Sequence, residues 1–227
     1  MNGKNVLFLI IFLIFSLQQA PAQTKPGEFY PNGNRDKKYI ALTFDDGPGK
    51  GTAEVLDILK KYKIKATFFV EGGLIKSQPE LIKRIVAEGH DLASHTYSHI
   101  NFYKYKNADK QEKLTTEIIN TEKAVNSAVK IKMKYLRMPY GYVRPWVKEV
   151  AAKTGYVLIN WSFGCDWFKM TPAQLIEKYT KNISPGGILL FHDGGGYYKT
   201  LVASLPQIIE TIRSKGCEIV PISVMIN

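Results

Sequence analysis

The chain has little cysteine: two residues, Cys165 and Cys217, among 227. They stand in neither a CxxC nor a metal-ligand spacing, which excludes a cysteine-built zinc module. One disulfide is open to an exported chain, but two free thiols are expected, because Cys165 falls in a segment read below as part of a site. No apolar run is long enough to cross a bilayer. Residues 6–17 make a run of 12, against about 20 needed for a spanning helix. There is no run of five or more like charges, no repeat and no low-complexity tract, so charged tails, solenoids and propellers drop out. Nothing resembles a nucleic-acid module, and nucleic acid is not expected as a partner.

What is present at the N-terminus reads as an export signal. Lys4 precedes the apolar run, and Ala20-Pro21-Ala22 offers small residues where a signal peptidase reads. Cleavage after Ala22 is expected, leaving no stable membrane span and a periplasmic or extracellular protein. Residues 23–37 are polar and rich in Pro, Gly and Asn, and read as a linker or loosely held arm. Residues 38–227, about 190 in all, suit a single catalytic domain with a full core, and a monomer is expected. The net charge is +11. Lys4 is the only charged residue among the first 22, so +10 remains on the rest. Many lysines fall on solvated helix faces, which makes a soluble basic surface the simpler reading and a polyanionic partner the alternative.

Apolar runs alternate with helical periodicity through the remaining chain. Strands are predicted at 39–42, 66–70, 91–93, 135–138, 156–161, 188–191 and 218–222. Helices are predicted at 52–62, from Pro79 to Gly89, at 109–129, from Pro145 to Gly155, after the Thr171-Pro172 cap, and at 201–214. Such alternation implies a parallel sheet with helices outside it. The chemically loaded residues fall at strand C-terminal ends, where α/β active sites gather: Asp45 and Asp46, His95, Arg137 and Tyr140, Asp166, His192. Polar groups delivered to one rim by several strands favour a distorted (β/α) barrel of about seven parallel strands.

Thr43-Phe44-Asp45-Asp46-Gly47-Pro48 ends the first of these strands with two adjacent carboxylates. Like charges near a core repel and lose hydration. A cation would relieve the conflict by taking one carboxylate and leaving the other as a base. Ser94-His95-Thr96-Tyr97-Ser98-His99 supplies two imidazoles four apart, which a helical turn would put on one face. Position 96 is Thr, so the base of a His-Glu-x-x-His site is missing and must come from the Asp pair. One Asp with two His gives three ligands and an open position, the pattern of a catalytic metal. His192, after an apolar strand, is a candidate acid, oriented by Asp193 or another carboxylate. His90 lies at the opposite rim and reads as structural. Arg137 on a buried strand requires an anion, with Asp45 or Asp166 available.

Together, residues 43–48, 94–99, 137–140 (Arg-Met-Pro-Tyr), 166–167 (Asp-Trp) and 190–193 (Leu-Phe-His-Asp) resemble the motifs of the polysaccharide deacetylases. These are the metal-dependent carbohydrate esterases of family four, also called the NodB-homology domain. The resemblance covers about residues 39–224 and implies a distorted (β/α) barrel. It implies Asp46, His95 and His99 as ligands of a divalent metal, usually Zn²⁺, with Co²⁺ or Ni²⁺ also acceptable to N/O donors. It implies Asp45 as general base, held by Arg137, and His192 as general acid, tuned by Asp166. The backbone N–H of Tyr140 would join the metal in stabilising the oxyanion, and Trp167 and Leu190 would enclose the acetyl methyl. The implied substrate is an acetylated polysaccharide, with N-acetylglucosamine polymers of peptidoglycan or chitin type leading. The rivals are O-acetyl ester cleavage on xylan or exopolysaccharide, and a catalytically silent carbohydrate-binding protein. One departure is Phe163, where the family often carries a second Asp, and Phe163 is a candidate for the substrate floor. Tyr142, Phe168, Tyr197 and Tyr198 are candidates for stacking on sugar rings.

Overall fold

The structure, a computed structural model, describes residues 24–226. The signal-peptide reading of residues 1–22 lies outside them. Eight strands form one sheet: β1 (Phe29–Tyr30), β2 (Tyr39–Gly47), β3 (Thr67–Val70), β4 (Asp91–Ser94), β5 (Tyr135–Leu136), β6 (Val157–Ile159), β7 (Gly187–His192) and β8 (Glu218–Ile219). The order is β1-β6-β5-β4-β3-β2-β7, with β8 pairing the start of β2, and every pairing is parallel. Past β6 the chain runs on to β7: Ser162 N–H donates to Ile188 O at 2.9 Å, and Leu190 N–H donates to Phe163 O at 2.9 Å. The sheet thereby curls into the distorted barrel that the alternation predicted.

Helices α1 (Thr52–Tyr62), α2 (Pro79–Ala87), α3 (Lys110–Ala128), α4 (Pro145–Thr154), α5 (Pro172–Lys181) and α6 (Tyr198–Ser214) surround the sheet, and a short α7 (Ile222–Met225) follows β8. Their ends sit where local chemistry sets them. Pro opens α2, α4 and α5, where its missing N–H costs nothing. Thr171 and Gln174 form a capping box at α5, and Gly155 closes α4 in the left-handed region.

The pleat of the sheet divides the core in two. Ile40, Leu42, Phe44, Phe68 and Val70 point outward and pack under the helices. Ala41, Phe69, Ala93, Tyr135, Val157, Ile159 and Ile188 point inward and fill the barrel. Strands buried on both faces read as continuous apolar runs, which is why they were visible in the sequence. Among the described residues no helix is long and apolar enough to cross a membrane. Cys165 and Cys217 are both free and buried.

Several expectations are corrected, and the strands predicted at 135–138 and 156–161 are shorter, at Tyr135–Leu136 and Val157–Ile159. The arm over 23–37 contains β1, whose two residues pair with Leu158 and Ile159, so that part of the arm is tied to the sheet. The strand predicted at 218–222 stops at Ile219, and the chain turns into α7. Helix α6 begins at Tyr198, three residues before the predicted start. Phe163 does not line the substrate cavity described below: it pairs with Leu189 and packs edge-on against Tyr179, ring centroids 5.1 Å apart.

Candidate active site

Parallel register fixes the central geometry. Asp45 on β2 is the direct partner of His192 on β7, and Thr43 the partner of Leu190. Neighbouring strands lie about 4.8 Å apart, so register partners on the inner face meet across one strand spacing. Inner-facing Asp45 and His192 therefore stand side by side at the top of the barrel. Asp46 would point the other way in an ordinary strand. It does not, because the β2–β3 register slips between Asp45 and Gly47, and Asp46 adopts φ 65°. This bulge re-aims a side chain at the rim and lets two sequence neighbours serve one cavity.

That cavity, about 590 Å³, is lined by Asp45, Asp46, His95, His99, Tyr140, Asp166, Trp167, Leu190 and His192, together with Trp161, Gly195, Gly196 and Tyr197. Nine of the ten predicted site residues thus share one cavity. The tenth, Arg137, is fully buried beneath it. Of the four stacking candidates only Tyr197 lines the cavity. Trp161 was not singled out from sequence, although it ends the predicted fifth strand at the loaded rim.

Arg137 donates from Nη1 to Asp45 Oδ1 at 2.7 Å and to Thr43 Oγ1 at 2.8 Å. It also donates from Nη2 to Asn160 O at 2.9 Å and from Nε to Ile159 O at 3.3 Å. Its guanidinium lies 4.0 Å from the Phe69 ring centroid. Burial favours the neutral form of the guanidinium and the Asp45 carboxylate opposes it. Asp45 is therefore the partner that the buried Arg137 required, and Asp166 is not.

The His95–His99 segment is not the helical turn expected from its spacing. It is an irregular loop with Thr96 at φ 67° and His99 at φ 52°. Glu117, buried on α3, holds it: the carboxylate accepts from Tyr97 N–H at 3.0 Å, Ser98 N–H at 2.7 Å and Ser98 Oγ at 2.9 Å. Sequence reading passed over Glu117, which sits in an ordinary helical pattern.

The loop brings both imidazoles to Asp46. His95 Nε2 and His99 Nε2 each lie 3.4 Å from Asp46 Oδ1. His95 Nδ1 is 2.8 Å from Arg137 O. A carbonyl only accepts, so Nδ1 carries the proton and Nε2 turns its lone pair to Asp46. Asp46 Oδ1 is buried with no hydrogen-bond partner. Three electron-rich atoms converge: the ligand atoms of Asp46, His95 and His99 lie within 4.8 Å of one another. The residues fit a divalent cation with three protein ligands.

The same groups are coupled electrostatically. Burial works against an ionised Asp46, but His95, His192 and His99 outweigh it and bring its carboxyl down to about 2. Burial likewise opposes a charged His95, and Asp45 and Asp46 overcome it, raising its pKa. His99 moves down, through burial and the neighbouring His95.

Next to Asp45 on the adjacent strand, His192 Nδ1 is 2.7 Å from Asp166 Oδ1, and His192 N–H donates to Asp166 Oδ2 at 2.7 Å. Burial disfavours the imidazolium, yet Asp166 and then Asp45 and Asp46 lift its pKa to about 9. Of the carboxylates weighed for this role, the orienting one is Asp166. Asp193 turns away and braces the loop after Asp46. Its carboxylate accepts from Thr52 Oγ1, whose oxygen accepts from Gly49 N–H at 2.8 Å, and its carbonyl accepts from Gly51 N–H at 3.0 Å. A Cβ on Gly47 would come within 2.8 Å of Asp193, and one on Gly194 within 1.8 Å of Asp46 O, so both positions need glycine. His90 lies at the other rim, as expected, with Nδ1 accepting from Ala66 N–H at 3.1 Å.

Removing Arg137 would leave Asp45 charged and unpaired in the barrel. Arg137→Met is expected to cost about 3–5 kcal/mol of stability in a denaturant titration. A loss below 1 kcal/mol, by the scale of exposed pairs, would show that the pair is not buried as described.

A family model described as polysaccharide deacetylase matches residues 32–159. A peptidoglycan-N-acetylglucosamine deacetylase of Bacillus cereus is 34% identical over 196 residues, covering 85% of this chain and 90% of its own length. A chitooligosaccharide deacetylase of a Bradyrhizobium species is 34% identical over 197 residues, covering 81% and 88%. Among solved structures, a peptidoglycan N-acetylglucosamine deacetylase bound to 4-naphthalen-1-yl-N-oxidanyl-benzamide superposes with a TM-score of 0.80 at 32% identity, covering 88% of this chain and 93% of that one. Five motifs in order, a curled parallel barrel and a matching family model meet in one conclusion: the chain belongs to the polysaccharide deacetylase family.

Proposed function

We propose that the protein is an exported, metal-dependent hydrolase that removes N-acetyl groups from N-acetylglucosamine-containing polysaccharide and releases acetate. One observation carries this reading: a carboxylate, Asp45, and an imidazole, His192, are register partners on adjacent strands, in the cavity that also holds the Asp46–His95–His99 cluster. Export rests on the composition of residues 1–22, and residues 38–227 form the catalytic unit.

Asp46, His95 and His99 hold the metal, with Zn²⁺ the best match to two imidazoles and a carboxylate. When bound, it supplies positive charge that polarises the acetyl carbonyl. The chain's own groups do the rest. Arg137 holds Asp45 in place by one carboxylate oxygen, and Asp45 takes a proton from the attacking water. The backbone N–H of Tyr140 serves the developing oxyanion. Trp167, its ring edge-on to His192 at 5.7 Å, and buried Leu190 form the wall for the acetyl methyl. As the carbon–nitrogen bond breaks, His192 gives its proton to the leaving amine. Asp166 holds the ring by Nδ1, so Nε2 faces the substrate. Base and acid are separate groups, side by side on adjacent strands.

Acetate release from N-acetylglucosamine oligomers, peptidoglycan and acetylated xylan tests the reading. The first two are expected to release acetate, chelator to abolish it and Zn²⁺ to restore it. Asp45→Asn is expected to keep the metal and lose on the order of 10²–10⁴-fold in kcat, while His95→Ala and His99→Ala lose metal first. Release from xylan alone would make the protein an ester hydrolase. Metal-loaded protein releasing nothing would make it a binding protein.

The pH profile gives a second test. An acid must be protonated, and a pKa raised to about 9 keeps His192 charged through neutral pH and lets it discharge above that value. The kcat is expected to fall above about pH 9, and Asp166→Asn to bring that fall to lower pH. An alkaline limb unmoved in the variant would contradict the role of Asp166.

A further inference from the structure

Beside the catalytic cavity lies a second, shallower pocket of about 350 Å³. Gly141, Arg144, Lys148, Asn160 and Phe29 are among its walls. The two cavities adjoin along two peptide links. Tyr140 lines the first and Gly141 the second; Trp161 lines the first and Asn160 the second. At the seam, Gly141 packs so close to Trp161 that a Cβ would stand 2.8 Å from Cη2.

The chemistry of this pocket is unlike that of its neighbour. Arg144 and Lys148 are both exposed, and neither has an acidic partner within ion-pair distance among the described residues. Both are nevertheless held in place. The Arg144 guanidinium lies 5.1 Å from the Tyr142 ring centroid and 5.7 Å from that of Tyr103, and Nη1 donates to Val143 O at 2.9 Å. Lys148 Nζ lies 5.5 Å from the Phe29 ring centroid. Two preset cations flank one concavity without a counter-ion. Asn160, in the same wall, donates from Nδ2 to Gly141 O at 3.3 Å and has Oδ1 buried with no partner. A ligand that completes the set brings an anion for Arg144 and Lys148 and a hydroxyl or amide N–H for Asn160.

We propose that the Arg144–Lys148 pocket is a carboxylate subsite, seating an acidic substituent on the sugar next to the one being deacetylated. It rests on the deacetylase reading for its substrate, though not for its residues. A neutral chitin-type chain carries no such group. A peptidoglycan strand carries one on every second sugar, as the carboxylates of the stem peptide or, where the stem has been removed, as the free lactyl carboxylate. The subsite thus selects an acidic polymer over a neutral one, and the positive net charge of the chain acts in the same direction.

The test compares kcat/KM for acetate release from soluble peptidoglycan strands and from neutral N-acetylglucosamine oligomers. The full chain is used as wild type, as Arg144→Lys and as the double variant Arg144→Ala/Lys148→Ala. The double variant is expected to lose on the order of ten-fold on the strands, mainly in KM, and to stay within about two-fold on the neutral oligomers. Arg144→Lys keeps the charge and is expected to recover part of the loss. Strands stripped of stem peptides by an amidase, which frees the lactyl carboxyl from its amide, separate the two sources: a loss confined to stripped strands assigns the lactyl carboxylate, a loss confined to intact strands assigns the stem, and a loss on both shows that the subsite takes either carboxylate. Equal losses on both polymers, or no loss on either, would overturn the subsite. Were the wild type to release acetate from neither, the deacetylase reading would fall. Strand binding by calorimetry would then decide the subsite: weaker binding by the double variant keeps it, and unchanged binding overturns it.

Discussion

The site depends on one ion pair inside the barrel. Arg137 is fully buried, and a lone guanidinium there would be strongly unfavourable. Asp45 neutralises it, and Thr43, Ile159 and Asn160 take its remaining hydrogen bonds. The consequence reaches beyond stability. With Oδ1 of Asp45 committed to Arg137, the carboxylate turned to the imidazoles is the next one, Asp46, through a one-residue bulge. The pair thus separates two adjacent aspartates into the two roles proposed for them, base and ligand. Arg137 also uses its backbone carbonyl to fix the His95 tautomer, so one residue aligns both halves of the chemistry.

Around that pair, each polar side chain is held by a different element. Glu117 on α3 holds the His95–His99 loop, Asp166 holds His192, and Asp193 with Thr52 braces the turn after Asp46. These supports are buried or nearly so, and the groups they aim are the ones that open to the cavity. A second pocket, lined by Arg144 and Lys148, lies across the Tyr140–Gly141 and Asn160–Trp161 links from the cavity.

Much of this was legible in the chain. The strands buried on both faces gave continuous apolar runs, and proline and glycine marked the helix ends. The rim residues were legible because chemistry concentrates at strand C-termini, and the resemblance to the polysaccharide deacetylases agreed with them. What stayed hidden depends on contacts distant in sequence. β1 is two residues whose partners lie about 130 positions on, in a segment whose composition says linker. The loop at 95–99 has helical spacing but is bent by a carboxylate on α3, so periodicity misassigned it. Asp193 neighbours His192 in sequence and looks like its orienting group, yet consecutive residues of a strand end point to opposite faces. Phe163 occupies a position the family often gives to aspartate, and its ring joins Tyr179 in the core instead of the cavity.

The measurement that tests the central claim most directly is a crystal structure of the zinc-loaded protein with anomalous data at the zinc edge. The account predicts a single ion bound by Asp46, His95 and His99, with Asp45 outside its coordination sphere and still bonded to Arg137. An ion ligated by Asp45, or one seated away from this triad, would contradict it.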